Sequence, residues 1–190
     1  RVSVDLMDSG WREYLADAGL RWAIGKKVTA LTGLHLFHYN NPVDANADGF
    51  TDLALQKRVS LFHKMNFAGK ANRVSSIAAR YFYEDRWGGE MNWSRPFRGS
   101  DSIYGESIYT NRLELIGNYQ LPIPENLQFS WSYNYHHQDS WYGHTPYLAS
   151  QHIGFGQLTW NKNHRKQDIL AGAALRYTGY DDNSPATQDS

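Results

Sequence analysis

The stretch LQFSWSYNYHH, residues 127–137, decides the fold of this chain. Its odd positions are apolar or aromatic from Leu127 to Tyr135, and its even positions are polar from Gln128 to His136. Because successive side chains of a β-strand point to opposite faces, this alternation predicts a strand with one apolar and one polar face. A membrane barrel, apolar outside and polar inside, follows this pattern as its rule. The stretch therefore favours a membrane barrel over a soluble β-domain.

The composition narrows the class of protein. The chain has 190 residues, of which 41% are hydrophobic. No run approaches the ~20 apolar residues of a spanning helix, which excludes helical insertion but leaves a β-barrel open. The aromatic content of 15%, with thirteen Tyr and seven Trp, suits interfacial girdles and ring-binding surfaces. Zero net charge predicts no nucleic-acid partner, and the lack of cysteine excludes disulfides and thiol catalysis.

The same alternation recurs along the chain and predicts about eight antiparallel strands, paired as hairpins. The predicted strands cover residues 14–24, 28–39, 57–67, 74–85, 109–121, 127–137, 152–160 and 169–180. Short turns are expected at residues 25–27, 68–72, 122–126 and 161–166. Long loops are expected at residues 40–56, 86–108, 138–150 and from 181 onward. Long loops that alternate with short turns are typical of outer-membrane barrels, whose long loops lie outside the cell.

The two ends of the chain favour a segment of a larger barrel. Residues 1–11 read as a loop with a weak strand at residues 2–6, and residues 181–190 read as an unfinished polar loop. A complete barrel pairs its first strand with its last and leaves no edge. We therefore expect a transmembrane barrel segment, although about eight strands can also close alone.

The sharpest local motif is DANADGFTD, residues 44–52. Oxygen donors at relative positions 1, 3 and 5, glycine at 6 and an acid at 9 reproduce the first part of a calcium loop. The candidate ligands are Asp44, Asn46, Asp48, Phe50 (through its carbonyl) and Asp52. Leu55 stands where an EF-hand has its bidentate acid, so an ordinary polar turn is the alternative interpretation.

Several chemistry-bearing side chains lie near the third predicted loop. Ser140, His144 and Asp139 offer the residue types of a hydrolase, and His136 and His137 offer zinc ligands. Adjacent strand residues point to opposite faces, however, so the two adjacent histidines cannot share one ligand. Solvated loop histidines are the better interpretation.

Aromatic residues in the loops have two interpretations. Trp and Tyr near loop bases usually lie at the level of the lipid headgroups, whereas those further out can grip a ring-bearing ligand. The candidate ligand contacts are Trp93, Tyr104, Trp141 and Tyr142.

Charged residues of the strands and their ends predict ion pairs in a wet lumen, and we expect no enzyme. The charges expected to pair are Glu84, Asp85, Arg86, Glu90, Arg112 and Glu114. The predicted lining of the lumen consists of Arg58, Lys64, Arg80, Glu84, Arg112, Glu114, Asn134 and Arg176.

Segments spread over nearly the whole chain resemble the barrel half of TonB-dependent outer-membrane receptors of the Bacteroidetes lineage. They are residues 48–53 (DGFTDL), 56–59 (QKRV), 83–89 (YEDRWGG), 98–101 (RGSD), 104–112 (YGESIYTNR), 142–147 (YGHTPY) and 180–187 (YDDNSPAT). Within the family, the chain is similar to cobalamin receptors and their ferric-siderophore relatives.

The resemblance implies a barrel of about 22 strands that is closed by a plug and opened by an inner-membrane TonB complex. Residues 1–190 would be part of one such barrel domain, with the plug and TonB box absent from this chain. The implied function is active import of cobalamin or a ferric siderophore across the bacterial outer membrane. The implied partners are outer-membrane lipid, the receptor's own plug, the TonB complex through that plug, the small-molecule ligand and a surface lipoprotein. Calcium orders external loops in cobalamin receptors, which directs attention to residues 44–52.

Three alternatives stay open at this point. The first is a complete eight-stranded barrel that acts as an adhesin or anchor, since about eight strands can close. The second is a membrane-embedded hydrolase that uses Ser140, His144 and Asp139. The third is a soluble glycan-binding module.

Overall fold

The computed structural model describes residues 1–69, 73–123, 126–164 and 167–187 and shows an all-β chain. Nine antiparallel strands form one open sheet in which spatial order follows chain order. The strands are β1 (Val2–Asp8), β2 (Glu13–Ile24), β3 (Val28–Tyr39), β4 (Leu55–Ala68), β5 (Val74–Gly89), β6 (Gly105–Gln120), β7 (Asn126–Tyr142), β8 (Thr145–His164) and β9 (Gln167–Asp182). A short 3-10 helix, Arg95–Phe97, lies between β5 and β6. Among the described residues, no helix is long and apolar enough to cross a membrane.

The register keeps the apolar positions of neighbouring strands on one face of the sheet. Leu115 of β6 lies between Ala79 of β5 and Tyr133 of β7, and Leu61 of β4 lies opposite Tyr81 of β5. We call this the apolar face. The other side, the polar face, carries each predicted lining residue: Arg58, Lys64, Arg80, Glu84, Arg112, Glu114, Asn134 and Arg176. The predicted two-sided alternation is therefore confirmed.

The part of the chain that the structure describes forms no second layer over either face of the sheet. Among the described residues, the buried hydrophobic positions are Ala30, Tyr39, Leu55, Ala78 and Ala149. Leu6 and Leu175, both on the apolar face, are 78% and 77% exposed. Most exposed large hydrophobics of the strands share that face, and the exceptions on the polar face are Met7, Leu31, Ile116, Leu170 and Tyr180. A continuous apolar surface of this kind indicates contact with another apolar phase or partner.

The connections define two ends of the sheet. The long connections at residues 40–54 and 90–104 lie at what we call the loop end, and the short connection at residues 25–27 lies at the opposite turn end. Of the predicted turns, residues 70–72, 124–125 and 165–166 lie outside the described residues, as do residues 188–190 of the last predicted loop.

The structure corrects the prediction at two places in the chain. The segment read as a loop with a weak strand is the full strand β1, which pairs with β2 from Val2↔Leu20 to Asp8↔Tyr14 and raises the count to nine. The prediction of a third long loop at residues 138–150 was wrong. Instead β7 and β8 continue as a ladder to a two-residue turn, where Gly143 has φ 59°. Glycine permits this turn, and the ladder needs only backbone pairing, which polar residues do not prevent.

Trp131 and Gly117 make a close contact across the apolar face. The two residues are directly opposite in the β6–β7 ladder. A Cβ placed on Gly117 would lie 2.4 Å from atoms of the indole ring, so the ring lies directly over the glycine. Glycine in a strand interior often marks such a close approach, and here it allows the largest side chain to lie flat on the sheet.

Candidate functional site

The acidic loop of residues 44–52 is a tightly hydrogen-bonded turn at the loop end. Asp44 accepts from the backbone N–H groups of Asp48 at 3.1 Å and Gly49 at 2.9 Å. Asp52 Oδ2 accepts from the Ala45 N–H at 2.8 Å and closes the loop. Gly49 has φ 87°, a conformation that glycine adopts without a Cβ penalty. The sharp bend expected at this glycine is therefore present.

The remaining predicted calcium ligands belong to the same turn. Asn46 Oδ1 accepts from the Asp48 N–H at 3.2 Å, and Asp48 Oδ1 accepts from the Phe50 N–H at 2.9 Å. Hard oxygen donors of this kind suit calcium. Within the described ranges, no group of three or more His, Cys, Asp or Glu side chains is arranged to hold a metal ion. Calcium binding by these residues stays a prediction.

The acidic loop is joined directly to the end of β5. Phe50 and Glu90 form an isolated antiparallel bridge, and the Thr51 N–H donates to the Gly89 carbonyl at 2.8 Å. The Met91 N–H donates to the Gly49 carbonyl, also at 2.8 Å. Backbone hydrogen bonds therefore hold the two long loops together, although they are separated by two strands in the chain.

Two arginines fasten the 90–104 connection to the apolar face at the loop end. Arg98 donates to Asp139 Oδ1 at 2.7 Å and to Ser107 Oγ at 3.1 Å, and its guanidinium lies 4.5 Å from the centroid of the Tyr109 ring. Arg95 is paired with Asp85, a residue only 4% exposed, and this hydrogen bond raises the pKa of the Arg95 guanidinium. We call Arg95 and Arg98 with these partners the arginine clamp.

Trp93 and Trp141, two of the candidate ligand contacts, pack against glycines of the protein itself. A Cβ on Gly105 would lie 2.2 Å from the Trp93 ring, and a Cβ on Gly99 would lie 2.7 Å from the Trp141 ring. The Trp93 indole nitrogen is buried and has no hydrogen-bond partner. These two rings therefore hold the 90–104 connection, and ligand contact by them stays a prediction.

Tyr104 and Tyr142, the other two candidates, line cavities at the loop end. The Tyr104 hydroxyl donates to Glu106 at 3.0 Å, and that hydrogen bond is the main cause that raises the pKa of Tyr104. Tyr142 lines a cavity of about 480 Å³ together with Pro146 and Tyr147. The structure therefore places these candidates in two separate cavities.

The chemistry-bearing residues of the third predicted loop are not brought together. Ser140 is fully buried on the polar face, where its hydroxyl accepts from Gln138 Nε2 at 2.8 Å. Asp139 points to the apolar face and belongs to the arginine clamp. His144 lies in the turn, 3.3 Å from Asp101. A Ser–His–Asp arrangement requires mutual hydrogen bonds, which these three residues do not make.

His136 and His137 lie on opposite faces of the sheet. His136 Nδ1 is 3.4 Å from Arg112 Nε on the polar face, whereas His137 Nδ1 is 3.1 Å from Ser150 Oγ on the apolar face. The expectation that adjacent histidines of this strand point to opposite faces is confirmed.

Cross-strand ion pairs connect β4, β5 and β6 on the polar face. Arg58 donates to Glu84 at 3.0 Å, and Arg80 donates to Glu114 at 2.8 Å. Arg112 lies 3.9 Å from the same Glu114. The predicted pairing of wall charges is confirmed for these residues. Asp85 instead pairs with Arg95 on the apolar face. Arg86 belongs to the strand ladder through its backbone, but its side chain has no ion pair or hydrogen bond among the described residues.

A cavity of about 300 Å³ lies at the loop end of the polar face. Its base is formed by the ends of β5 and β6, with Gly88 opposite Glu106 in the ladder, and Arg86 also lines it. The rings of Phe50 and Tyr104 form its upper wall, 6.4 Å apart and tilted by 54°. Sequence alone did not find this cavity, because it forms only where the two long loops meet. The only available signal in the sequence was the alternation of β5 and β6, which places Arg86 and Glu106 on the same face of the sheet.

Comparison of the chain with protein-family models, with curated proteins and with solved structures found no match. The residues of this chain and their geometry therefore carry its functional interpretation. Membership of the TonB-dependent receptors stays a prediction from the sequence.

Proposed function

We propose that this sheet is part of the wall of an outer-membrane barrel receptor of the TonB-dependent type. In this role the apolar face meets lipid, the polar face lines the lumen, and the loop end faces outside the cell. The chain contributes wall and external loops to the active import of a scarce ligand, such as cobalamin or a ferric siderophore. It performs no covalent chemistry in this role.

The observation that carries the proposal is the contrast between the two uncovered faces. Large apolar side chains such as Leu61 (46% exposed) and Leu113 (37% exposed) stand in continuous rows on one face. Paired charges such as Arg58–Glu84 stand on the other. Water on both sides would leave the apolar rows unburied, whereas a bilayer on one side and a wet lumen on the other satisfies both faces.

The number of strands supports a larger barrel over a complete small one. The sheet is an antiparallel meander of nine strands, so β1 and β9 run in the same direction. Closing these two edges on each other would make one parallel pair, whereas bacterial outer-membrane barrels have an even number of antiparallel strands. We therefore propose that both edges pair with further strands of the same wall.

The polar face is suited to contact with a removable plug. Several of its charges are paired across strands, as in Arg58–Glu84 and Arg80–Glu114, so this part of the wall is satisfied before a plug contacts it. A plug held by hydrogen bonds to such a wall can be released without breaking the strand ladder. The acidic loop at the outer end is the proposed calcium site within the same receptor.

Membrane insertion can be tested with adjacent substitutions on β4. Leu61→Arg places a charge on the apolar face, where we expect a cost of about 2–4 kcal/mol for transfer to the bilayer midplane. Ser60→Arg places the same charge on the polar face and is the matched control. Because an open sheet edge does not occur in lipid, each substitution is carried in the complete barrel to which this wall belongs. The measurement is the fraction of that barrel that inserts into lipid vesicles during refolding from urea, assayed by protease protection.

We expect Leu61→Arg to reduce insertion strongly and Ser60→Arg to leave it close to that of the parent. Equal insertion of both variants, or a parent chain that stays monodisperse in plain buffer, contradicts the wall proposal. Import is tested separately by the growth of a deletion strain on cobalamin or on a ferric siderophore. Growth that does not depend on the receptor contradicts the importer role.

Calcium binding by the acidic loop can be tested by calorimetric titration of the protein in detergent. We expect heat of binding for the parent and none for Asp48→Ala, because Asp48 supplies a side-chain oxygen in the centre of the loop. Asp101→Ala, a change in the neighbouring 90–104 connection, is the control. Matching traces for the parent and Asp48→Ala rule out this site.

A further inference from the structure

The cavity of about 300 Å³ on the polar face has rigid walls. On one side, the Gly89 N–H donates to Thr51 Oγ1 at 3.1 Å and the Thr51 N–H donates to the Gly89 carbonyl at 2.8 Å. On the other side, the Tyr104 N–H donates to Glu90 Oε1 at 2.7 Å. Both walls are therefore fixed by hydrogen bonds to β5 and its extension. Preorganised walls reduce the ordering that a ligand must impose when it binds.

Glycine keeps the base of the cavity open. A Cβ on Gly88 would lie 3.1 Å from Thr51 Oγ1 and 3.8 Å from Ala54 Cα. A side chain at this position would occupy the space between the strand and the loop. The volume is at the lower end of ligand pockets, which span roughly 300–1,000 Å³, so it fits one substituted ring.

The charged groups of the cavity are not neutralised by each other. Arg86 and Glu106 are diagonal neighbours on the polar face, since Gly88 pairs with Glu106 and Arg86 pairs with Ile108. No ion pair joins them, although both line the cavity. The Arg86 side chain has no hydrogen-bond partner among the described residues, and the Glu106 side chain accepts one hydrogen bond, from Tyr104. A guanidinium therefore remains free to bind an oxyanion, and a carboxylate retains capacity for further donors.

Aromatic and apolar groups complete the cavity. The rings of Phe50 and Tyr104 face it at a tilt, and Ile108 adds an aliphatic surface. Such rings bind a planar ring through edge and face contacts. An aromatic wall beside a free guanidinium and a carboxylate selects a ring that carries both an anionic group and a hydrogen-bond donor.

We propose that this cavity binds a hydroxy-substituted aromatic carboxylate, or the same group within a larger ligand that projects through the open side. Arg86 binds the carboxylate, Glu106 accepts from the hydroxyl group, and the rings of Phe50 and Tyr104 hold the aromatic ring. The proposal deepens the importer function and rests on it for its biological role, because the cavity would then open toward the lumen. Binding itself does not require transport.

The experiment is titration of the full chain in detergent micelles with 3-hydroxybenzoate as the probe, because its hydroxyl group cannot reach its own carboxylate and is free to donate to Glu106. The uncharged isostere 3-hydroxybenzamide is the matched probe, and empty micelles give the blank. Arg86→Gln removes the charge, and Arg21→Gln, an arginine on the polar face near the turn end, is the matched control. We expect Arg86→Gln and the amide probe each to weaken binding by about tenfold, the effect of losing one charge-assisted hydrogen bond. Arg21→Gln should bind as the parent does.

A second variant keeps the test decisive if Arg86→Gln does not fold. Phe50→Leu changes a half-exposed loop side chain and should weaken the binding of 3-hydroxybenzoate severalfold while the chain keeps its near-ultraviolet spectrum. The proposal is overturned if the parent does not bind the probe, or if a folded Arg86→Gln or Phe50→Leu binds it as tightly as the parent. It is also overturned if the amide binds as well as the carboxylate. Equal insertion of Leu61→Arg and Ser60→Arg in the β4 experiment would contradict the wall function but leave this binding result unaffected.

Discussion

Replacing Arg98 tests the arginine clamp that fastens the 90–104 connection to the sheet. Arg98→Met keeps most of the aliphatic length and removes the guanidinium. The substitution breaks the 2.7 Å hydrogen bond to Asp139 and the 3.1 Å hydrogen bond to Ser107. It also removes the cation from the Tyr109 ring, 4.5 Å away. Ser107 is 1% exposed, so its hydroxyl loses a partner that water cannot readily replace.

The magnitude follows from these contacts. A hydrogen bond to a charged group contributes about 1.5–3 kcal/mol, and a cation–π contact adds about 0.5–1 kcal/mol. The side chains of Arg98 and Asp139 are 19% and 33% exposed, so solvent screens part of the interaction. We therefore expect the free energy of opening this connection to fall by about 2–3 kcal/mol. At about 1.4 kcal/mol per factor of ten, amide exchange should accelerate by about 30- to 150-fold.

Native-state hydrogen exchange measures this opening directly. The reporters are the Phe97 N–H, which donates to the Ser94 carbonyl at 2.9 Å, and the Ser100 N–H, which donates to the Phe97 carbonyl at 2.9 Å. Arg21→Met is the matched control and should leave both amides unchanged. Strand amides at the turn end should keep their protection in every variant.

If Arg98→Met accelerates exchange of these two amides by less than about threefold, the arginine clamp does not hold the connection. The double-mutant cycle with Asp139→Asn gives a second criterion. If the two residues act as a pair, the effects of the single changes should not add. Additive effects would show that Arg98 acts only through packing.

Two further predictions concern a glycine and a carboxylate. Gly117→Val should lower the free energy of unfolding by about 1–3 kcal/mol, because the new side chain overpacks against the Trp131 indole ring. The measurement is the urea midpoint of unfolding from micelles. Gly154→Val is the control and should be neutral, because no atom lies within 4 Å of a Cβ at that position. Ser184 is the main hydrogen-bond donor to the Asp182 carboxylate, and Thr187 is the next. These hydrogen bonds hold the pKa of the Asp182 carboxyl well below its usual range. The stabilisation of this turn should therefore be fully present above about pH 4, the ordinary carboxyl value, and be lost only as the pH falls through the lower folded pKa. The protection of the Ser184 amide against hydrogen exchange should be lost over the same pH range. Protection that does not change with pH, or the same pH profile in Asp182→Asn, would contradict this prediction.

The sequence predicted the faces of the sheet better than the ends of its strands. Alternation in residues 127–137 and its repeats fixed which side chains share a face, because strand geometry has a period of two. It failed at residues 138–150, where Gln138, Asp139 and Ser140 show no apolar alternation. Their pairing depends on the neighbouring strand and on Arg98, far away in the chain, which no local pattern contains.

The candidate site was predictable only in part. The acidic loop has the local hydrogen bonds that its spacing indicated, because Asp and Asn bond to backbone a few residues away. The cavity between Phe50, Arg86 and Tyr104 was not predictable, because it needs the register of β5 with β6 and the bridge from Phe50 to Glu90. Such contacts between loops that are distant in sequence are decided by the assembled sheet.

Because each strand contacts chiefly the strands before and after it in the chain, the wall is in effect a one-dimensional array. Assembly can then proceed like a zipper, with every new hairpin templated on the edge left by the last, and no distant segment has to arrive first. The same property makes the hairpin the natural unit of evolutionary change. Inserting or deleting a whole pair of strands keeps the direction and the inside–outside sense of all the others, whereas a single strand would invert everything that follows it.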